Sequence, residues 1–335
     1  MGFSMKRVFP VIFSYSLLTL HYQASYAQIK WKNIDSFYIP LPKSVHIYFT
    51  DEKIDTGKFR AYYVEADLKD KNLEFTVDTS LNRRLTPLSF YERNGRPLVV
   101  SNCSFFSFQT NRNVNVLVKD GKMAAYDTEF VKGKGKDSLI HYFTLRSAIG
   151  ISKKRNADIV WTAADSAMKF PVAFESPEMP LGLPINIKRS RNYLKNPEIK
   201  SYLKKNPGKK IRKWKMITAI GGGPVLVQNG EISISNNEEM MFAGKALYDK
   251  HPRTSIGYTQ TGKLILLLIE GRNPDAAGAD LQQTAKILKD LGCWEALNLD
   301  GGGSSYMLVN GKETIKPSDK TGQRAVPSVF VIRQR

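Results

Sequence analysis

The residues best suited to chemistry lie in one stretch near the C-terminus, from Trp294 to Leu308. Its apolar first part predicts a short buried strand that delivers Asn298 and Asp300 to the strand's end. A run of small residues follows at once: Gly301, Gly302, Gly303, Ser304 and Ser305. Backbone without Cβ atoms can approach a ligand closely, and its N–H groups can bind an anion beside the serine hydroxyls. A carboxylate beside an anion cradle suits a substrate with a phosphate and a bond to be hydrolysed, although a glycine-rich hairpin with a turn aspartate explains the same residues.

A second group of polar residues ends another apolar strand. The run Lys263 to Ile269 is nearly all aliphatic, which predicts a central strand covered on both faces, and Glu270-Gly271-Arg272 follows directly. Arg253 and Thr254 precede a neighbouring strand-like run. A guanidinium presents a planar fork of donors that matches two phosphate oxygens. The two arginines of this group therefore predict phosphate contacts, with surface ion pairs as the alternative.

The residues between these two groups predict how the fold brings them together. Asp280 is suited to cap a helix, with Gln283 three residues on, and an apolar stripe continues to a closing Gly292. The order is strand, helix, strand, and a right-handed crossover makes the two strands parallel. Parallel strands end at the same edge of a sheet, so we expect Glu270 and Asp300 to be neighbours.

The rest of the chain predicts mostly strands. Residues 59–68 and 73–77 are rich in β-branched and aromatic side chains and predict a hairpin, whereas residues 86–92 predict a short capped helix. Four polar-glycine pairs between apolar runs favour further hairpin turns: Asp120-Gly121, Asn229-Gly230, Thr261-Gly262 and Asn310-Gly311. We therefore expect an α+β fold with a mixed, largely antiparallel β-sheet core, the C-terminal strand-helix-strand unit and few helices.

Two further patterns have open interpretations. The triplet Gly221-Gly222-Gly223 either lines the same cleft as the C-terminal glycines or tightly connects two core strands. No Gly-Lys-Ser or Gly-Lys-Thr follows it, which excludes a Walker loop. The run Arg146 to Gly150 also parallels Arg253 to Gly257, which suggests that one of the two arginines is purely structural.

The N-terminus predicts export from the cytoplasm. Lys6 and Arg7 precede an apolar stretch from Val8 to Leu20, and Ser25-Tyr26-Ala27 forms a small-x-small cleavage site. The stretch is shorter than the roughly 20 residues that span a bilayer. We expect a signal peptide at residues 1–27, a secreted or periplasmic protein without a transmembrane helix after cleavage, and one domain over residues 28–335. An uncleaved anchor is the alternative.

Much of the net charge of +19 lies in a predicted insertion at about residues 186–215. Twelve Lys or Arg and the single Glu198 lie between Lys188 and Lys215. This segment is either a solvated insertion or a surface that attracts acidic glycans or an anionic envelope surface. The predicted export from the cytoplasm argues against nucleic acid as the partner of this segment.

The cysteines and the acidic residues give no sign of a metal site. Cys103 and Cys293 lie far apart in the sequence, and either a disulfide or two separately buried thiols is compatible with that spacing. No histidine-rich or paired-aspartate motif has metal-ligand spacing. We expect no metal and no cofactor.

Several segments, in this order, resemble the phosphodiester glycosidase family. They are Ala219 to Leu226 (AIGGGPVL), His251 to Gly257 (HPRTSIG), Glu270-Gly271-Arg272, Ala277 to Leu297, and Asn298 to Ser305 (NLDGGGSS). The family usually has Asn-Gly-Gly-Phe-Phe where this chain has Asn102-Cys103-Ser104-Phe105-Phe106, and Asp at the position of Glu270. Arg324 matches a family arginine.

The resemblance implies hydrolysis of a sugar-1-phosphodiester to free sugar and a phosphate monoester. With the predicted export, we expect the substrate to be a cell-envelope or extracellular glycan. Asp300 would stabilise the cationic sugar centre or orient water, Glu270 is the second candidate acid or base, and Arg253 would stabilise the charge that collects on the phosphate. The predicted substrate-binding residues are Asn102, Thr254, Arg272, Asn298, Gly301, Gly302, Gly303, Ser304, Ser305 and Arg324. The sugar, the bond cleaved and the stereochemical course stay open, because the last depends on the separation of the two carboxyl groups.

Three other functions fit parts of the sequence. A non-catalytic protein could use the same cleft to bind carbohydrate. A metal-dependent phosphodiesterase lacks its ligand motif here. A serine hydrolase using Ser304 lacks a Gly-x-Ser-x-Gly elbow and an evident histidine partner among His46, His141 and His251.

Overall fold

The computed structural model describes residues 29–128, 130–133, 135–177, 181–184, 197, 201, 204–205 and 211–335. The predicted signal peptide and most of the predicted basic insertion lie outside these residues. In chain order, the strands of the first half are β1 (Lys32–Asn33), β2 (Val45–Thr50), β3 (Ala61–Asp67), β4 (Leu73–Thr79), β5 (Val99–Asn102), β6 (Leu117–Lys119), β7 (Lys122–Ala125), β8 (Phe130–Lys132), β9 (Ile140–Phe143), β10 (Arg146–Ile151), β11 (Ala157–Ala163) and β12 (Val172–Phe174).

The strands of the second half are β13 (Leu181–Pro184), β14 (Ile211–Lys213), β15 (Thr218–Gly221), β16 (Val225–Gln228), β17 (Glu231–Ile232), β18 (Arg253–Thr259), β19 (Lys263–Ile269), β20 (Cys293–Asn298), β21 (Met307–Val309), β22 (Lys312–Glu313) and β23 (Ser328–Gln334). Outside the partly described segment 197–205, the α-helices are α1 (Pro87–Arg93), α2 (Asn236–Glu239) and α3 (Leu281–Asp290). Short 3-10 helices cover Asp35–Phe37, Gly135–Asp137, Gly244–Leu247 and Gly302–Ser304.

The strands form four sheets. The largest has eight strands in the order β1-β2-β3-β19-β18-β20-β16-β17, and a seven-stranded sheet has the order β14-β12-β11-β10-β15-β6-β7. A five-stranded sheet has the order β22-β21-β5-β23-β4, and β13, β9 and β8 form the smallest. Strand pairs throughout these sheets are antiparallel. The predicted α+β fold with a largely antiparallel core and few helices is confirmed.

The eight-stranded sheet is buried on both faces. Along β19, Leu264, Leu266 and Leu268 contribute to the main core, where they meet apolar residues of the seven- and five-stranded sheets. The alternate residues Ile265 and Leu267 point to the other face. There they belong to the same apolar cluster as three buried residues of α3: Leu281, Ala285 and Leu288. The period of two along a strand produces this division, and it confirms that β19 is doubly covered.

The C-terminal strand-helix-strand unit has the predicted form. Helix α3 begins at the Asp280 cap. The Asp280 side chain accepts a hydrogen bond from Gln283 N, and the Gln283 side chain accepts one from Asp280 N. The chain leaves the helix through Gly292, with φ of +80°. Because β18 pairs antiparallel with both β19 and β20, the latter two strands run parallel with β18 between them.

One predicted hairpin is wrong. Strand β3 pairs with β2 and β19 in the eight-stranded sheet, whereas β4 pairs with β23 in the five-stranded sheet. The intervening residues form successive turns, and the Arg155 guanidinium donates to the carbonyl oxygens of Leu68, Asp70 and Leu73. The chain therefore crosses from one sheet to another there. The four predicted polar-glycine turns do connect antiparallel strand pairs.

Candidate active site

Three strand ends meet at one edge of the eight-stranded sheet. Arg253, the first residue of β18, lies opposite Ile269, the last residue of β19, and Ser255 lies opposite Asn298 at the end of β20. Glu270 and Asp300 follow those two strand ends, and Arg253 opens the strand between them. The predicted convergence at one sheet edge is therefore present, and antiparallel β18 contributes a third polar group to it.

The three glycines bring the loop backbone against its neighbours. Gly302 N donates to Pro252 O at 2.8 Å. A Cβ on Gly302, where φ is +61°, would lie 3.1 Å from Arg272 Nη2. A Cβ on Gly303 would lie 2.0 Å from Arg324 Nη2, a distance that real Cβ atoms do not reach. Side chains at these positions would displace the two guanidinium groups, so the glycines allow the arginines to lie directly against the loop.

Asp300 combines partial exposure with a buried, unpartnered oxygen. Its Oδ2 is buried and has no hydrogen-bond partner among the described residues. Burial raises the pKa of the Asp300 carboxyl to about 7, against the smaller opposing effects of the Ser304 side chain and the Arg324 charge. Near neutral pH this carboxyl therefore exists in both protonation states, unlike the permanently ionised carboxylate that an exposed aspartate would provide.

A buried network behind the loop contains three predicted substrate-binding residues. Asn102 Oδ1 accepts hydrogen bonds from Thr254 Oγ1 at 2.9 Å and from Tyr306 N at 3.1 Å, and its Nδ2 donates to Asp300 O at 2.6 Å. Thr254 Oγ1 also contacts Ser305 Oγ at 3.2 Å. Asn102, Thr254 and Ser305 are each at most 1 % exposed. In this structure their side chains fix the loop from behind instead of lining its surface.

Glu270 also faces inward. It is 1 % exposed, and its two oxygens accept hydrogen bonds from Asn273 Nδ2 at 3.0 Å and from Lys316 N at 3.3 Å. The carboxylate thus joins the turn after β19 to the segment after β22. This environment does not suit the predicted role of Glu270 as a second acid or base, because both oxygens already have protein partners.

The three predicted arginines have different surroundings. Arg253 is 3 % exposed, donates through Nε to Ala279 O and lies over the Phe242 ring at 5.8 Å, and burial lowers its pKa to about 10. Arg272 is exposed and contacts His251. Arg324 forms a bidentate ion pair with Asp319, at 2.7 and 2.9 Å, and its Nη1 lies 3.4 Å from Ser304 Oγ.

His251 contacts the site but was not among the predicted site residues. Its Nδ1 lies 3.2 Å from Arg272 Nη2. Since arginine can only donate, Nδ1 accepts and the proton of the neutral ring is on Nε2. Burial, followed by the charges of Arg253 and Arg272, lowers the pKa of His251. The imidazole is therefore neutral at neutral pH.

Asn298 links the loop to the other glycine triplet. Its Nδ2 donates to Gly223 O at 3.1 Å and to Leu299 O at 2.8 Å, whereas its Oδ1 is buried without a partner among the described residues. A Cβ on Gly222 would lie 2.5 Å from Asn298 O. The triplet is thus a close connection between the seven- and eight-stranded sheets that also contacts the candidate site.

Glu239 is an organising residue that sequence reasoning missed. It is fully buried, and its carboxylate accepts hydrogen bonds from five donors: Ser147 N, Ser147 Oγ, Trp161 Nε1, Val225 N and Ser235 Oγ. These donors belong to both large sheets. Burial raises its pKa, while the hydrogen bonds act in the opposite direction. The polar run Asn236 to Glu239 resembles a solvated helix in sequence, so nothing in it signalled burial.

The sequence repeat led by Arg146 and Arg253 has a structural counterpart. Each arginine is the first residue of its strand, and each is buried. Arg146 Nη1 donates to Glu239 O and contacts Met241 Sδ, whereas Arg253 lies over Phe242. The segment Glu239 to Phe242 therefore covers both arginines.

The cysteines and possible metal ligands give simpler results. Cys103 and Cys293 are both free and buried, so of the two interpretations left open the separate thiols are present. Burial raises the pKa of the Cys103 thiol to about 12. Among the described residues, no three His, Cys, Asp or Glu side chains are grouped so that they could hold a metal ion.

No helix in the part of the chain that the structure describes is long and apolar enough to span a membrane.

Comparison with known proteins gives the family context of this geometry. Residues 191–333 match the sequence model of the phosphodiester glycosidase family. The chain resembles the phosphodiester glycosidases. Mouse N-acetylglucosamine-1-phosphodiester alpha-N-acetylglucosaminidase is 30 % identical over 111 residues, which are 31 % of this chain and 21 % of the enzyme. An uncharacterised prophage-derived protein of Bacillus subtilis is 36 % identical over 83 residues, which are 25 % of this chain and 13 % of that protein. The aligned segments thus span less than a quarter of these relatives.

Solved structures share the fold over most of the chain. A hypothetical protein from Synechocystis matches with a TM-score of 0.64 and 15 % identity, over 91 % of this chain and 64 % of the other. The catalytic domain of zebrafish N-acetylglucosamine-1-phosphodiester alpha-N-acetylglucosaminidase, described as auto-inhibited by its pro-peptide, matches with a TM-score of 0.57 and 21 % identity, over 87 % and 83 %. The predicted family resemblance is confirmed.

Proposed function

We propose that this protein hydrolyses a sugar-1-phosphodiester to free sugar and a phosphate monoester. The observation that carries the proposal is the loop at Gly301 to Ser304, where the Asp300 carboxyl lies beside glycine backbone that contacts the guanidinium groups of Arg272 and Arg324. The family match supports a hydrolase that cleaves phosphodiester-linked sugars. The name of the mammalian relatives supplies N-acetylglucosamine as the first sugar to test.

The reaction consumes one water molecule. Water adds to the anomeric carbon, the bond from that carbon to the bridging oxygen breaks, and the proton balance leaves a hydroxyl on the sugar and a phosphate monoester. Negative charge collects on the phosphate as the bond breaks, so fixed positive groups lower the barrier. Arg272 and the loop N–H groups are suited to this role. Arg324 contributes less net charge, because Asp319 neutralises it.

Asp300 is suited to general acid or base catalysis. A catalytic carboxyl is most effective when its pKa lies near the working pH, and burial brings Asp300 to about 7. Its protonated form can donate to the bridging oxygen, and its ionised form can accept a proton from water. We assign Glu270 a positioning role, since Asn273 and Lys316 occupy its oxygens. Arg253 would act through its charge, from a buried position beside the loop.

We also propose that the protein acts outside the cytoplasm, secreted or periplasmic, on a cell-envelope or extracellular glycan. This part depends on the signal-like N-terminus and on the basic segment Lys188 to Lys215, which has the charge to attract an acidic glycan or anionic envelope surface. Fractionation of cells that express the full chain, with mass spectrometry of its N-terminus, tests it. Uncleaved protein in the cytoplasm would contradict it.

A non-catalytic carbohydrate-binding protein is the second candidate. It is favoured by one observation: Asn102, Thr254, Ser305 and Glu270 are occupied by internal hydrogen bonds, which leaves fewer groups to contact a substrate. Such a protein would bind the sugar phosphodiester without consuming it.

The deciding experiment measures turnover and bond cleavage together. The mature protein is incubated with a panel of sugar-1-phosphodiesters and nucleotide-sugars in ¹⁸O-labelled water, and the products are identified by mass spectrometry. We expect a phosphate monoester without ¹⁸O, since the oxygen of water enters the sugar; labelled phosphate would indicate attack at phosphorus. Asp300→Asn is the control, because the amide resembles the protonated acid in shape. Binding without turnover by the wild-type protein would favour the second candidate.

A further inference from the structure

An exposed aromatic residue lies at the outer side of the candidate site. Phe108 is 59 % exposed. Its ring contacts Phe106 at a centroid distance of 4.7 Å. The Arg324 guanidinium lies 5.5 Å from the Phe108 centroid while its Nη1 is 3.4 Å from Ser304 Oγ. Phe108 is therefore one side chain away from the glycine loop.

A second arginine shares this ring. Arg84 lies 5.2 Å from the Phe108 centroid and 5.8 Å from the Phe106 centroid, so it is held by both rings through cation–π attraction. Its segment is fixed on two sides. Leu85 forms an antiparallel bridge with Val326, and Asn82 accepts a hydrogen bond from Arg112 Nε at 3.0 Å. The fold thus brings Arg84 and Arg324 to the same aromatic side chain.

The two arginines differ in charge balance. Arg324 has its bidentate partner Asp319, whereas Arg84 has no ion-pair partner among the residues that the structure describes. A guanidinium held on two phenyl rings keeps its hydrogen-bond donors free for a ligand. Phe108 therefore connects an uncompensated positive charge, that of Arg84, to the Arg324 guanidinium that contacts the glycine loop.

We propose that Arg84, presented by Phe106 and Phe108, binds an anionic group on the part of the substrate beyond the scissile phosphodiester. The inference rests on the proposed function, and it names the preferred substrate class: sugar-1-phosphodiesters whose leaving group has a second negative charge, as a carboxylate or a phosphate. Arg84 is a specificity residue in this assignment and has no role in bond cleavage.

The test uses substrates that differ only in that charge. N-acetylglucosamine-1-phosphodiesters of glycerol, of glycerate and of glycerol phosphate are compared by kcat/KM with wild-type protein, Arg84→Met and the matched control Arg83→Met, which removes an exposed neighbouring charge. We expect the wild-type protein and Arg83→Met to prefer the two anionic diesters, and Arg84→Met to reduce that preference by about fivefold, the size of one partly exposed charge contact. Arg84→Lys should retain part of the preference for anionic diesters. Comparison of the glycerate diester with the glycerol phosphate diester distinguishes recognition of a carboxylate from recognition of a phosphate.

The outcomes are distinguishable. Equal ratios of anionic to neutral kcat/KM in wild type and Arg84→Met would overturn the inference while the proposed function stands. An equal loss of preference in Arg83→Met would also overturn it, since the effect would then be general surface charge. If the wild-type protein hydrolyses none of the three diesters nor any member of the wider panel, the proposed function fails and this inference fails with it.

Discussion

Asn102 donates a 2.6 Å hydrogen bond from Nδ2 to the backbone oxygen of Asp300. Asn102 is the last residue of β5 in the five-stranded sheet, whereas Asp300 follows β20 of the eight-stranded sheet. The same side chain accepts hydrogen bonds from Thr254 Oγ1, on the neighbouring strand β18, and from Tyr306 N, which follows the glycine loop. One buried amide therefore sets the position of the candidate catalytic carboxyl. This explains how a motif that lacks the two family glycines, at Cys103 and Ser104, still has a defined place in the site.

Asn102→Ala should reduce both stability and activity. The change leaves the Asp300 carbonyl, the Thr254 hydroxyl and the Tyr306 N–H without their partner, at a cost of about 2 to 4 kcal/mol in the free energy of unfolding. We expect kcat for a hydrolysed diester to fall at least about tenfold at a temperature where the variant is folded, because misplacement of catalytic groups has a large effect on rate. Asn310→Ala, which removes bonds to Tyr38 and Pro40, is the control. Equal kcat values in both variants would contradict the positioning role.

Asp300→Asn should change the pH dependence of stability in a defined direction. Because the folded-state pKa of about 7 lies above the ordinary value of 3.8, the stability contribution of this carboxyl is complete below about pH 4 and is lost as the pH rises through 7. The variant should therefore gain stability relative to wild type as the pH rises from about 4 to about 8, by up to about 4 kcal/mol in total. Burial also raises the pKa of Asp127 to about 7. This residue is present in both proteins, so its contribution to the pH dependence is the same in each. Urea unfolding curves at several pH values check this; parallel pH profiles would exclude it.

The sequence allowed the relation between the strand ends to be predicted, because a strand-helix-strand crossover constrains direction strongly. The aliphatic run of β19 and the Asp280 capping box were sufficient for that inference. Local patterns could not show which sheet a strand would join, so the β3 and β4 segments were wrongly paired. Their alternating side chains fit either sheet, and Arg155, which binds the turn between them, is distant in sequence.

The chemical environment of the site residues was less predictable than their location. Residue types indicated acids, amides and arginines near one loop, but burial decides which of them keep free atoms. Glu270 and Thr254 are enclosed, whereas Asp300 keeps an unpartnered oxygen. The contribution of Glu239 depends on donors from β10, β11 and β16, which no local pattern connects.

Glu239→Gln should destabilise the protein through its hydrogen-bond network. Glutamine offers one acceptor oxygen where the carboxylate accepts from five donors, and its amide group would face other N–H and O–H groups. We expect a loss of about 2 to 4 kcal/mol in the free energy of unfolding. Glu238→Gln, one residue away and partly exposed, is the matched control and should change stability by less than about 0.5 kcal/mol. Similar unfolding midpoints for the two variants in urea would show that the network contributes little.

Gly303→Ala tests whether the arginines must lie directly against the loop. The added methyl would be 2.0 Å from Arg324 Nη2 and 2.2 Å from Asp319 Oδ1, so the ion pair must move away from Ser304. Both contacts are ends of flexible side chains, and we expect a stability loss of only about 1 kcal/mol. The kcat/KM for a hydrolysed diester should fall about tenfold or more, because the phosphate would lose a placed guanidinium. Gly57→Ala, whose new methyl would be 3.6 Å from its nearest neighbours, should leave both quantities unchanged. Wild-type kcat/KM in Gly303→Ala would mean that Arg324 does not act on the substrate from its present position.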